Sequence, residues 1–158
     1  STSVSGRAAI VFLSIALTLA SIVPAFAVDK PAAKGQKASS AAPESKDPNY
    51  WFQKGALCST YGNNQAAIRY FGKAVTLDPN HSGAYFSQGI SYGQLGNYSR
   101  AVADINRAIE MEPQNGLYYY GRGRTYLLAG EKDKALQDFR KAAELGDEDA
   151  QEYLKNVK

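Results

Sequence analysis

A period of 34 residues runs through this chain and leaves few folds open to it. Tyr50 to Gly55 reads YWFQKG, Ala84 to Gly89 reads AYFSQG, and Tyr118 to Gly123 reads YYYGRG. Gly62, Gly96 and Gly130 stand in one column, Ala67, Ala101 and Ala135 in another, and Ala74, Ala108 and Ala142 in a third. Phe71, Ile105 and Phe139 form a large apolar column, and Leu77, Met111 and Leu145 form a fifth. Pro79 and Pro113 close the first two units, whereas Asp147 stands at the end of the third. A fixed period of this length marks a stacked array, in which each unit buries its apolar face only against its neighbours.

Within a unit the pattern is that of two helices. Tyr85, Gly89 and Tyr92 fall at i, i+4 and i+7, one face of a helix. Gly96-Asn97 is a left-handed stop, and Tyr98, Ala101, Ile105, Ala108 and Ile109 make a second apolar face. Glu112-Pro113 ends that helix, because proline disfavours a helical conformation in the residue before it. Asp47-Pro48 opens the first unit with a capping acid and a proline at the first helical position. Gly55, Gly89 and Gly123 would each weaken a helix by about 1 kcal/mol relative to alanine. Their register, twelve residues ahead of Ala67, Ala101 and Ala135, predicts close approach of small residues on paired helices.

A large aromatic, glycine four residues on, then alanine, phenylalanine, alanine and proline at these spacings resembles the tetratricopeptide repeat. The resemblance covers Pro48 to about Asp149. It implies an all-α solenoid of helical hairpins: units at 48–81, 82–115 and 116–147, and a capping helix at 148–158. The last segment, DEDAQEYLKNVK, is acidic at its start and basic at its end, as a helix dipole prefers. Ala150, Tyr153, Leu154 and Val157 are its expected inward stripe, covering the end of the stack.

The residues ahead of the repeats are of two kinds. No charge falls between Arg7 and Asp29, Ile10 to Val23 is strongly apolar, and Ala25-Phe26-Ala27 has the small-x-small form of a signal-peptidase site. Residues 1–27 are therefore expected to be either a cleaved export signal or a retained anchor. The uncharged run 8–28 is near the roughly 20 residues that span a bilayer. Arg7 stays on the cytoplasmic side in both cases, so the repeats are expected to be exported: periplasmic, or anchored with the repeats on that side. Residues 28–47, VDKPAAKGQKASSAAPESKD, contain no aromatic and read as a disordered tether.

Composition removes whole classes of function. Of 18 basic and 15 acidic residues, five and three fall in residues 1–47, leaving 13 against 12 in the repeats, a net of +1. Such a balance offers no field for a phosphate backbone, so no nucleic-acid partner is expected. Cys58 is the single cysteine and is expected as a small buried hydrophobe in the column of Tyr92 and Tyr126. His81 is the single histidine, expected in a loop and solvated. No nucleophile–base set, carboxylate pair, metal spacing or phosphate loop occurs, so neither an enzyme nor a bound cofactor or metal is expected.

The first helix of each unit carries two stripes about 100° apart. Trp51, Tyr85 and Tyr119 share the glycine stripe and are expected to be packed, with Tyr118 leaning on a neighbouring helix or solvent. Phe52, Phe86 and Tyr120 sit one step round, with Ala56, Ser59 and Thr60, with Ile90, Gly93 and Gln94, and with Arg124, Leu127 and Leu128. In tetratricopeptide repeats the first helices line the concave surface, so the resemblance implies a groove built from Phe52, Ala56, Phe86, Ile90, Gln94, Tyr120, Arg124 and Leu128. The alternative for the rings is a wedge between repeats. Family members that clamp a C-terminal carboxylate use Lys and Asn on this face. Phe52, Ala56, Phe86 and Ile90 stand in the corresponding places here, which favours an apolar or aromatic peptide. The expected role is a scaffold or adaptor for a protein partner, or a fixed subunit of a membrane complex, touching membrane only through residues 8–28.

Overall fold

Each unit's two apolar faces close on each other as a helical hairpin in the computed structural model, which describes residues 44–157. The export segment and most of the tether lie outside the described residues. The helices are α1 (Pro48–Thr60), α2 (Asn64–Leu77), α3 (Ser82–Gln94), α4 (Tyr98–Met111), α5 (Gly116–Leu128), α6 (Lys132–Glu144) and α7 (Glu148–Asn156). No strand occurs among the described residues. α1 pairs with α2, α3 with α4, and α5 with α6. Successive hairpins join through α2 against α3 and α4 against α5, and α7 lies on α6. The fold is an α-solenoid of three hairpins and a terminal helix.

Local chemistry sets the helix ends. Asp47 accepts from the Asn49 amide at 2.9 Å, Asn63 from Ala66 at 3.1 Å, and Asp147 from Ala150 at 2.8 Å. These side chains satisfy amides that an isolated first turn leaves unpaired. The hairpin turns end on Gly62, Gly96 and Gly130, whose φ values of 76°, 80° and 82° suit a residue without a Cβ. The columns 67/101/135, 71/105/139 and 74/108/142 are buried in every repeat and form the continuous interior.

The mid-helix glycines face something larger than the alanines expected. A methyl group at Gly55 would lie 2.6 Å from the Phe71 ring, and one at Gly123 would lie 2.8 Å from Phe139. At Gly89 it would meet both Ile105 Cγ1 and the Ala101 carbonyl oxygen at 2.8 Å. Each glycine is thus the recess that receives the large residue of the partner helix. The alanine column contributes its carbonyl, not its side chain.

Tyr118 leans on a neighbouring helix, one of its two expected places, and four other expectations change. Tyr118 is buried between hairpins: its ring lies 4.8 Å from Phe86 and its hydroxyl donates to Ser82 Oγ at 3.2 Å. Ser82 in turn bonds Glu112, and that hydrogen bond holds the Glu112 carboxyl below its ordinary range. His81 is not a solvated loop residue. It caps α3, with Nδ1 accepting from the Ala84 amide at 3.1 Å, and its ring lies 4.8 Å from Phe52. Cys58 is half-buried, as are Tyr92 and Tyr126 in the same column. On the glycine stripe only Trp51 is buried; Tyr85 and Tyr119 are half-buried. On α7, Ala150 is buried as expected, but Val157 is the exposed residue that ends the helix.

Candidate functional site

The second and third hairpins leave a cleft between α3 and α5. Its cavity, about 290 Å³, is lined by Phe86, Ile90, Gly93 and Gln94 from α3. Leu117, Tyr120, Gly121, Arg124, Thr125 and Leu128 come from α5, and Asp149 reaches it from α7. These α3 and α5 positions recur at i, i+4 and i+8, because residues with that spacing share one helical face. The lining is mostly apolar, with Leu128 59% and Leu117 50% exposed at the rim. Arg124 is exposed, with its guanidinium 5.9 Å from the centroid of the Tyr120 ring. Arg124 and Asp149 are the charged groups of the lining.

Six of the eight groove residues meet there: Phe86, Ile90, Gln94, Tyr120, Arg124 and Leu128. Ala56 lies in an adjoining hollow of about 210 Å³, shared with Ser59, Phe71, Ser87, Phe86 and Ile90. Phe86 and Ile90 therefore form the wall between the two hollows. Phe52 lines neither. Its ring lies 5.7 Å from Phe71 and 4.8 Å from His81, packed against the buried group of Trp51, Ala74 and Ala84. Phe52 packs as a wedge against the next hairpin, because Ala84 leaves room that Tyr118 fills one hairpin further on.

The surviving rings have two faces. Phe86 packs on Tyr118, and a methyl at Gly121 would overlap the Phe86 ring. Tyr120 lies 5.5 Å from Phe139. Each ring thus joins neighbouring elements on one side and lines the cleft on the other, so wedge and wall coexist. Gly121, Thr125, Leu117 and Asp149 were not in the sequence-derived groove. The signal available for Gly121 was its departure from the 34-residue pattern, with Gln53 and Ser87 at the equivalent places. Asp149 belongs to the terminal helix, which the repeat columns do not index.

The neighbouring arginine has a different role. Arg122 points to the α4–α6 side and forks Asp138 with Nε at 2.8 Å and Nη2 at 2.7 Å, while Nη1 donates to Asn106 at 2.6 Å. Those bonds consume Arg122 in the structure and leave Arg124 as the arginine of the cleft. Among the described residues, no group of three or more His, Cys, Asp or Glu side chains is placed to hold a metal ion. No helix among them is long and apolar enough to cross a membrane, and residues 8–28 lie outside the described residues.

Two family models, both described as tetratricopeptide repeat, match residues 86–151 and 48–81. Together they take in more than half of the chain. Among solved structures, MamA is similar with a TM-score of 0.60 at 24% identity over 67% of this chain and 62% of that one. YrrB, described as a TPR protein with an unusual peptide-binding site, gives 0.65 at 22% over 70% and 58%. The first TPR of Spaghetti (RPAP3) bound to the HSP90 peptide SRMEEVD gives 0.65 at 21% over 72% and 92%. The chain thus spans about three fifths of the MamA and YrrB chains. No curated protein matches its sequence.

Proposed function

This chain belongs to the tetratricopeptide repeat family, and on that premise we propose that it is a non-catalytic scaffold or adaptor. Its α3–α5 cleft would bind a peptide or helix of a partner protein. One observation carries the reading: Phe86, Ile90, Tyr120 and Leu128 converge on one cavity with Arg124 at its edge. Contiguous exposed apolar surface of this kind marks interaction sites. At about 290 Å³ the cavity is just below the roughly 300–1,000 Å³ of small-molecule sites. It suits a single apolar or aromatic side chain of an extended or helical segment. Arg124 would take a carboxylate beside it. The described YrrB site and the peptide-bound Spaghetti domain support peptide binding as a use of this fold.

We place the scaffold outside the cytoplasm, in the periplasm or held at its membrane. The charge-free run 8–28 and the Ala25-Phe26-Ala27 site support that placement. The same run supports the second reading, a fixed subunit of an envelope complex held by a retained anchor. Fractionation with N-terminal sequencing separates them: a start at Val28 supports the exported scaffold, and a membrane-bound chain retaining the run supports the subunit. Full-length chain in the soluble cytoplasm excludes both.

The cleft itself is tested with its exposed members. Affinity purification from the native host identifies the partner, and Arg124→Ala and Leu128→Ala are then compared with Arg140→Ala on the exposed side of α6. Interface hot spots are worth about 2 kcal/mol, or roughly a 30-fold loss of affinity. We expect that loss in the two cleft variants, with native far-UV dichroism and full binding by the control. Undiminished binding by both cleft variants moves the site elsewhere.

A further inference from the structure

The terminal helix enters the repeat pattern out of step. Pro79 and Pro113 follow α2 and α4, and α3 and α5 then start at Ser82 and Gly116. After α6 the chain turns on Gly146, whose φ is 91°, and Asp147 stands in the proline column. Asp147 accepts from the Ala150 amide at 2.8 Å. That cap starts α7 at Glu148, ahead of Ala150, which shares the column of Ser82 and Gly116. The shift leaves one side chain over. His81, Asn115 and Asp149 share a column, and the first two are engaged locally. His81 caps α3 through Nδ1, and Asn115 donates to Glu112 at 3.0 Å. Asp149 instead lies inside the first turn of α7, whose cap Asp147 already supplies. Among the described residues no hydrogen bond or ion pair takes its exposed carboxylate, and it lines the α3–α5 cleft.

The cleft therefore holds two opposite charges that are not ion-paired. Arg124 makes only a ring-face contact, 5.9 Å from the Tyr120 centroid, and no carboxylate among the described residues meets it. The ion pairs of the third hairpin lie elsewhere: Arg122 with Asp138, Lys134 with Glu131, and Lys141 with Glu144. Ile90 and Ala56 stand in the column of Arg124, and the adjoining hollow at Ala56 has no charged residue in its lining. Charge in the cleft is thus confined to the third hairpin and α7. A purely acidic segment that satisfied Arg124 would meet Asp149 as a like charge in the same small cavity, and a purely basic one would meet Arg124. The lining calls for a ligand that carries both signs.

Resting on the peptide-binding reading of the cleft, we propose that α7 is part of the binding site and that Asp149 selects a basic residue in the bound segment. The occupant is a segment of a partner protein with an apolar or aromatic residue in the cavity, an acidic residue for Arg124, and Lys or Arg for Asp149. Its uncharged end crosses the Phe86–Ile90 wall toward the hollow at Ala56. Segments of a single charge sign are rejected by one of the two groups, which gives the site discrimination as well as affinity. The terminal helix then has two tasks: Ala150 covers the end of the stack, and Asp149 reads the partner.

The test selects binders of the full chain from a random peptide library displayed on phage. Enriched sequences should carry an acidic and a basic residue within a few positions of an apolar or aromatic one. Asp149→Lys should weaken a selected peptide at least several-fold, and changing that peptide's basic residue to Glu should restore binding to the variant. Glu148→Lys is the control, because it alters the charge of the same first turn but lies outside the cavity lining. It should bind the selected peptide as the unaltered chain does, with native dichroism in both variants. Enriched sequences without a basic residue, no enriched pattern at all, or equal binding by the Asp149→Lys and Glu148→Lys variants each overturns the proposal. If Arg124→Ala and Leu128→Ala weaken the selected peptides while Asp149→Lys does not, only the role of Asp149 falls and the cleft stands. If none of the three weakens them, the cleft falls as well.

Discussion

Asp104 and Asp138 occupy the same position in consecutive hairpins, 34 residues apart, yet one is satisfied and the other is not. Asp138 is buried and receives both prongs of Arg122, which also reaches back to Asn106 in the preceding hairpin. The residue equivalent to Arg122 beside Asp104 is Gln88, and it turns away. Gly72 stands where the next junction has Asn106, so Gln88 approaches α2 and its Nε2 donates to the Ile68 carbonyl at 2.9 Å. Asp104 is left with a buried Oδ2 that no hydrogen bond reaches. The lesson is that a repeat column preserves a backbone position, whereas the chemistry at that position depends on two or three neighbouring columns.

The largest effect should come from removing the satisfied pair's arginine. Arg122→Ala strands the Asp138 carboxylate, and breaking a buried pair from one side costs about 3 kcal/mol or more. Gln88→Ala, its counterpart, loses one hydrogen bond to a backbone carbonyl, about 1 kcal/mol. Thermal melts should therefore rank Arg122→Ala well below Gln88→Ala. Equal destabilisation would mean the two junctions are energetically alike.

A smaller effect, with a pH signature, belongs to Asp104. Burial lifts its carboxyl from 3.8 to about 6, with Arg100 pulling the other way. The folded state thus holds this proton more tightly than the unfolded chain does. The corresponding stability is fully present below about pH 4 and is lost as pH rises through 6. Asp104→Asn should then be the more stable protein at pH 8, by about 1 kcal/mol once solvent screening of a half-exposed group is allowed for, with little gain at pH 4. Gln88→Arg sharpens the comparison by restoring the missing fork, and carboxyl NMR should show the Asp104 titration moving downward. An unmoved midpoint would contradict the explanation through Gln88.

The smallest effect is at a cap. Asn63 and Asn97 cap α2 and α4, but Glu131 in the same column makes no capping hydrogen bond and instead pairs with Lys134. Glu131→Asn should stabilise the third hairpin by about 0.5 kcal/mol, since a surface pair is worth less than a cap. A lower melting midpoint would show that the ion pair matters more.

The helices, the interior columns and the hairpin stops were legible in the sequence because each is enforced at every repeat by the same backbone position. Phe71, Ile105 and Phe139 could be read together, for example, without knowing what they touch. The cleft was legible in part, through Phe86, Ile90, Tyr120 and Arg124, which share a helical face. The packing of Phe52 was not legible, because its surroundings are set by Ala84 and His81 in the next hairpin, not by its own column. For Tyr118 the sequence left helix and solvent open for a related reason: its neighbours Phe86 and Ser82 lie more than thirty residues away. Edge effects were invisible to the period, which treats α1 as equivalent to α3 and α5 although nothing among the described residues covers its outer face.

The central claim is that the α3–α5 cleft receives a partner segment, and methyl NMR measures it most directly. A methyl-labelled repeat domain would be titrated with the segment of the captured partner that carries its binding activity. The Ile90, Leu117 and Leu128 methyls should shift together along one binding curve, while Leu77 and Leu136 on the second helices stay still. Saturable shifts at Leu77 or Leu136 with Ile90 and Leu128 unmoved would contradict the claim and place binding on the other face of the solenoid.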